Sequence, residues 1–391
     1  MTFTIDETFL TNTLVKMVQI DSNNASLTPG APGEGEIAAY LVDVMTALGL
    51  EVTTLEPEPG RVTVVGLLKG SGEGRSLMLN GHIDTVSHDD MDEPLSGAIR
   101  DGKLYGRGSQ DMKGGVIAMI AAAKALIDAN ISLAGDLIVA AVADEEAASL
   151  GTHELLKHYT ADAAIVTEPT DMEICLAHRG FIWHEVEVTG RAAHGSRYDE
   201  GIDANIRMGR FLAELDRLEK EIRQREPHPL AGVPSLHAGV LKGGTEVSVY
   251  AAKARLEVER RTCPGDTEAE VRQELQTIID KLAAEDPTFQ ATVIPFLERP
   301  PLETNPEADI VKATSGAMTK FGYNPVHKGA SFWTDASLMS AVGIDSILLG
   351  PIGDGLHSKE EWVDLKSVVD LSTILVETAI DFCGTVIDEA G

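Results

Sequence analysis

The strongest constraint on this chain is a series of short, largely apolar runs, three of which end just before acids or a histidine. They cover residues 62–68, 77–79, 137–143, 163–166 and 346–349. Runs of this length without polar alternation suit strands buried on both faces, as in an α/β sheet covered by helices. Ahead of them, residues 34–48 place Ile37, Leu41, Val44, Met45 and Leu48 at helical spacing, and Gly49 follows as a stop. A further helix is predicted over 114–129, and the α/β pattern resumes with a helix near 307–321.

The middle of the chain follows a different pattern. Residues 181–188 alternate like a half-buried strand, 203–224 are helical, and 235–240 and 247–260 are extended. A helix over 267–284 and a strand near 289–295 complete the order β-α-β-β-α-β, that of a ferredoxin-like module. The expected organisation is a discontinuous α/β domain, residues 1–179 and 296–391, interrupted by an α+β insert at 180–295. A chain of 391 residues is long enough for two cores.

Charge narrows the partners. The sequence has 32 Lys and Arg against 62 Asp and Glu, a net charge of -30. Such a surface repels phosphate backbones and anionic headgroups, so neither nucleic acid nor a membrane surface is an expected partner. The plain reading of the acidity is a well-solvated surface, of a kind also suited to a saline interior. Cys175, Cys263 and Cys383 are widely separated and odd in number, which fits a reducing compartment and no thiolate metal site. The N-terminal residues lack a basic segment followed by an apolar run. The apolar stretch 116–127 is too short to span a bilayer and contains Lys124. A cytoplasmic protein is expected.

The chemistry lies where the apolar runs end. His82 and Asp84 sit at i and i+2 beyond residues 77–79, so both can face one side. An imidazole steadied by a carboxylate is a common metal arrangement. The glycine-rich segment 106–115 lacks the spacing of a phosphate-binding P-loop and instead presents Asp111, whose two oxygens can bridge two cations. Asp144-Glu145-Glu146 follow the most apolar run, at the edge where α/β sheets open onto ligand. Glu168 follows residues 163–166, and His357 lies beyond 346–349. Each also has a plain structural explanation; together, two histidines and several acids at strand ends point to a metal centre. Hard carboxylates and imidazoles without cysteine suit zinc, cobalt or manganese. Shared by two ions, such a site activates water for hydrolysis, and one acid must stay off the metals as proton acceptor, for which Glu145 is chosen.

Two competing signals fail. His153 and His158 mimic the H-E-x-x-H helix but sit at i and i+5, about 140° apart around a helix. There is no G-x-S-x-G nucleophile elbow and no paired catalytic cysteine.

The segments GHIDTV, GRGSQDMKGG, ADEE, VTEPT, RAAHGS, LKGGTEVSVYAAKARLEVERR, WTDASL and GPIGDGLHSKEEWV span the chain. They resemble the di-zinc family of acetylornithine deacetylase, succinyl-diaminopimelate desuccinylase, aminoacylase and glutamate carboxypeptidase. The resemblance implies a zinc-exopeptidase-like three-layer catalytic domain with an inserted ferredoxin-like lid that dimerises. It implies that Asp111 bridges two Zn2+, that His82 and Glu168 complete one site, and that Glu146 and His357 complete the other. Asp84 would orient His82 and Glu145 would be the base. His194 would serve the partner subunit's active site as oxyanion donor. Arg261 and Arg179 would meet a substrate carboxylate, because guanidinium binds carboxylate bidentately. Ser248-Val249-Tyr250-Ala251 stand where the family commonly has Asn-Val-x-Pro, which makes Ser248 a substrate-facing position. The implied activity is hydrolysis of a small N-acyl amino acid. The rivals are a dipeptidase or carboxypeptidase, a silent binding protein on the same scaffold, and phosphoester hydrolysis at the two-metal site.

Overall fold

A computed structural model describes residues 2–386; residues 1 and 387–391, at the ends of the expected outer segments, lie outside it. The described chain forms two compact units. One comprises residues up to Leu176, Thr304–Lys328 and those from Thr334 onward; the other comprises Ala177–Glu303 and Gly329–Trp333.

The first unit is built on a mixed sheet. In spatial order it runs Glu51–Leu55, Thr63–Leu68, Leu137–Val142, Leu77–His82, Ala163–Val166, Asp345–Leu348 and Ile174–His178. The central strands are parallel, with His82 beside Val142 and Asn80 beside Val166, so their C-terminal ends come out on one edge. Leu137–Val142 and Ala163–Val166 are buried at every residue, as unalternating apolar strands require. Helices Glu7–Gln19, Gly114–Asp128 and Leu365–Cys383 pack together, and Leu150–His158 packs with Ala336–Ala341. Gly114–Asp128 is apolar almost all round and correspondingly buried, apart from Lys124 and its end.

A small antiparallel sheet joins Gly353–Asp354, Trp362–Asp364, Lys103–Tyr105 and Ala98–Arg100. It pairs the strand before the glycine-rich loop with the strand after His357, placing Trp362 beside Tyr105. This pairing brings together two loops more than two hundred residues apart in sequence.

The second unit has the order β-α-β-β-α-β. Its antiparallel sheet runs Ser235–Gly243, Lys253–Thr262, Gly180–Thr189, Gln290–Arg299. Helices Ala204–Ile222 and Glu268–Glu285 cover it through Val186, Phe211, Leu215, Leu256, Val258, Leu275 and Ile279. Strand Gly180–Thr189 alternates buried with half-buried residues, the period-2 signature of a sheet covered on one face. Glu268–Glu285 opens on a capping box between Thr267 and Glu270. The predicted strand 247–260 is shorter at its start: it begins at Lys253. Val249 pairs with His194 in an isolated bridge, and Tyr250 N–H donates to the Ala193 carbonyl.

Candidate metal centre

Parallel strands all end on one edge, so side chains beyond residues 82, 142, 166 and 348 converge there. In the glycine-rich loop, Gly108 has a φ of 79°, a left-handed conformation that glycine adopts without a side-chain clash. The Asp111–Met112 peptide is cis.

Asp111 lies between two imidazoles. Its Oδ1 is 3.0 Å from His82 Nε2 and its Oδ2 is 3.2 Å from His357 Nε2. Glu168 Oε1 is 3.9 Å from the same His82 nitrogen, and Glu146 Oε1 is 3.1 Å from the same His357 nitrogen. The acids and histidines named from the sequence thus meet in one place. Glu145 belongs to it as well, because one of its oxygens groups with His82 and Glu168 within 4.8 Å.

The donor set fits divalent ions. Two atoms each about 2.0–2.1 Å from one tetrahedral ion stand about 3.4 Å apart, and the four spacings above bracket that value. His82 Nδ1 lies 2.9 Å from the Asp84 carbonyl oxygen, which can only accept, so Nδ1 carries the proton. In the neutral ring Nε2 then presents a lone pair toward two carboxylates, an arrangement a cation resolves.

Charge crowding points the same way. Burial, followed by the charge of Glu168, pushes the Glu145 carboxyl well above its usual range. Burial and the neighbouring Asp111 raise Glu146, and burial raises Glu168 strongly. Burial would also raise Asp111, but hydrogen bonds from His357 and His82 hold it below the ordinary carboxylate range. His357 is pushed up to about 10 by its hydrogen bonds to Asp111 and Glu146. Burial alone would lower His82; the bond to Asp111 and the charges of Glu168 and Asp84 raise it instead. Two divalent ions would offset these acids, leaving the imidazoles neutral.

Asp84 has a double role. Its carbonyl orients His82, with its carboxylate 3.6 Å from the ring, and that carboxylate accepts the backbone N–H groups of Glu145 and Glu146 at 3.1 and 3.2 Å. Asn24 Nδ2 donates to Asp84 at 2.7 Å and to Asp144 at 3.1 Å, and Arg61 Nη2 contacts Asn24, Asp144 and Glu34. Asn24 and Arg61 carry no signal in the sequence, since neither follows the C-terminal end of a buried strand or falls in a recognisable spacing.

The remaining predicted residues belong to the second unit. His194 is exposed; its Nδ1 accepts the Ser196 backbone N–H at 3.2 Å, leaving Nε2 to carry the proton. Ser248 is exposed, and its carbonyl accepts Gly195 N–H at 2.7 Å. Arg261 Nε pairs with Glu259 at 2.7 Å over the Phe181 ring, and Arg179 Nε donates to the Ala231 carbonyl at 3.0 Å. His158 is bound to Glu154 on the surface of its helix, and among the described residues neither it nor His153 joins a metal-ligand grouping.

Comparison with known proteins decides the family. Peptidase family M20/M25/M40 matches residues 78–381. The chain belongs to this family. Acetylornithine deacetylase of Myxococcus xanthus is 32% identical over 332 residues, 83% of this chain and 85% of that protein. N-formyl-4-amino-5-aminomethyl-2-methylpyrimidine deformylase of Bacillus subtilis is 29% identical over 392 residues, 91% of this chain and 92% of that one. A solved Bacillus subtilis structure, described as a dinuclear metal-binding peptidase of the M20 family, superimposes with a TM-score of 0.76. It is 17% identical, with 97% of this chain and 99% of that one covered. The mixed sheet with a separate antiparallel α+β unit is the M20 fold. The chain is accordingly a hydrolase of the M20 family.

Proposed function

We propose that this M20 hydrolase holds two Zn2+ ions, replaceable by Co2+ or Mn2+, and cleaves the amide bond of a small N-acyl amino acid. The single observation that carries the reading is Asp111, whose two oxygens each face a different histidine, with Glu168 3.9 Å from one of those imidazoles and Glu146 3.1 Å from the other. His82 and Glu168 would hold one ion, Glu146 and His357 the other, with Asp111 shared. Bound there, such ions bring the pKa of a water toward neutrality and polarise a carbonyl oxygen.

Glu145 takes the proton of that water on its carboxylate and passes it to the leaving amine. Its backbone is held by Asp84, so the base and the ligand Glu146 are fixed by one carboxylate. In a homodimer formed through the second unit, His194 of the partner subunit donates Nε2–H to the tetrahedral oxyanion, as the tautomer set by Ser196 allows. Arg261, Arg179 and Ser248 are assigned to the substrate's carboxylate end. A cytoplasmic setting accords with three buried, reduced cysteines. Among the described residues, no helix is long and apolar enough to cross a membrane.

A second reading, deformylation of a small formamide, is favoured by the deformylase relative that matches 91% of this chain. The two separate in one assay of acetyl, succinyl, formyl and carbamoyl amino acids, dipeptides and a formylated aminopyrimidine. Selective turnover of acyl amino acids is expected; turnover of the formamide alone would favour the second reading, and inactivity on all would reject both. Glu145→Gln should keep two metals per chain by metal analysis while kcat falls about 10²–10⁴-fold. Unchanged turnover would remove Glu145 as the base.

A further inference from the structure

His357 is poorly placed to hold a fixed position by packing alone. Its side chain is 51% exposed and its backbone has a φ of 56°, unfavourable for a residue with a side chain. Yet its Nε2 must stay within ligand distance of both Asp111 and Glu146. The support comes from four residues further on. Glu361 is buried, and its Oε2 accepts Arg107 Nη1 at 2.8 Å and Gly108 N–H at 3.0 Å. Its Oε1 accepts Gln110 N–H at 2.9 Å and Asp111 N–H at 3.1 Å. One carboxylate thus gathers the backbone of the loop that carries Asp111.

Arg107 closes the connection from the other direction. Its Nη2 donates to the carbonyl of Ser358, next to His357, at 3.0 Å, and the Gly106 N–H donates to the Glu361 carbonyl at 3.0 Å. The turn between is packed tightly enough that a Cβ on Gly355 would lie 1.9 Å from the Glu360 carbonyl oxygen.

We propose that Glu361 and Arg107 form a buried clamp that sets the spacing between Asp111 and His357 and so governs occupancy of the metal position formed by Asp111, Glu146 and His357. They are positioning residues, and the inference rests on the two-metal reading above. A carboxylate is required, because each of its oxygens receives two donors. A glutamine amide in either orientation turns its own N–H groups against two of them. Outer-shell partners of this kind typically change metal affinity by about 10–100-fold when replaced.

The test titrates metal-free wild-type protein, Glu361→Gln and Arg107→Lys with Co2+, following visible absorption and heat. Wild type should bind two Co2+ per chain. Glu361→Gln should bind the first as wild type does and the second about 10–100-fold more weakly, with altered visible bands. Hydrolysis by this variant should recover as Co2+ is raised, which a folding defect would not permit. Arg107→Lys keeps the charge but loses the forked geometry, so it should weaken the same second site by less. Wild-type affinity and spectrum in Glu361→Gln would overturn the clamp alone, whereas wild type that binds no Co2+ would overturn the two-metal reading with it. Should Glu361→Gln not fold, Arg107→Lys carries the same readout, and an unchanged second site there overturns the clamp.

Discussion

Arg61 sets the charge balance beneath the candidate metal centre, because Glu34, Asp84 and Asp144 are all buried around it and Asn24. Burial, then the charge of Asp84, raises the Glu34 carboxyl to about 7 against the pull of Arg61. A folded-state pKa above the unfolded value means that the fold favours the protonated acid. The stabilisation is complete below the ordinary glutamate value of 4.5 and is lost as pH rises through about 7. At 1.36 kcal/mol per unit, the shift corresponds to about 3 kcal/mol. Denaturant titrations of wild type and Glu34→Gln should therefore diverge, the wild type losing about 3 kcal/mol relative to the variant between pH 4.5 and 7. A difference that stays constant with pH would show that Glu34 titrates in the fold as it does in the unfolded chain. Residues such as His82, Asp111 and Glu168 were legible because each follows an apolar run or flanking glycines. Asn24 and Arg61 were not, since a side-chain hydrogen bond spanning sixty residues leaves no local pattern.

At the level of elements, unbroken apolar runs located the buried strands and helical spacing the helices that matter. Residues 163–166 were expected as a strand and form one, and the helix expected over 114–129 runs Gly114–Asp128. The helix Leu365–Cys383 also carries Val368, Leu371, Leu375 and Phe382 buried at helical spacing, so its signal is present in the sequence. The distance between helix and sheet is not visible in that spacing. A Cβ on Gly115 would lie 2.1 Å from the Thr167 carbonyl, so the helix start rests directly on the strand end that leads to Glu168. Gly115→Ala must push the two apart, at a cost of about 1–3 kcal/mol by analogy with other overpacked sites. It should also weaken metal binding at the Glu168 position. Thermal unfolding and Co2+ titration would check both, and a variant as stable as wild type would mean that the helix shifts freely.

For the whole molecule, the net charge of -30 makes self-repulsion a permanent load on the fold. Raising salt from about 0.01 M to about 0.5 M, which shortens the screening length from about 30 Å to under 8 Å, should raise Tm in scanning calorimetry. An unchanged Tm would mean that the acids are already offset locally. The sequence by itself determined the fold class, because backbone hydrogen bonding and apolar burial impose periods of 2 and 3.6 that can be read within a few turns. It also determined that acids and histidines cluster at the C-terminal ends of buried strands, since parallel pairing places those ends on one edge. Only the tertiary structure decided that the two oxygens of Asp111 separate two histidines 275 residues apart in sequence (357 − 82). The same holds for the gathering of a glycine-rich loop by Glu361 and for Arg61 among three acids. Those contacts depend on strand register and loop packing between distant segments, and side-chain geometry at that range follows from the assembled fold.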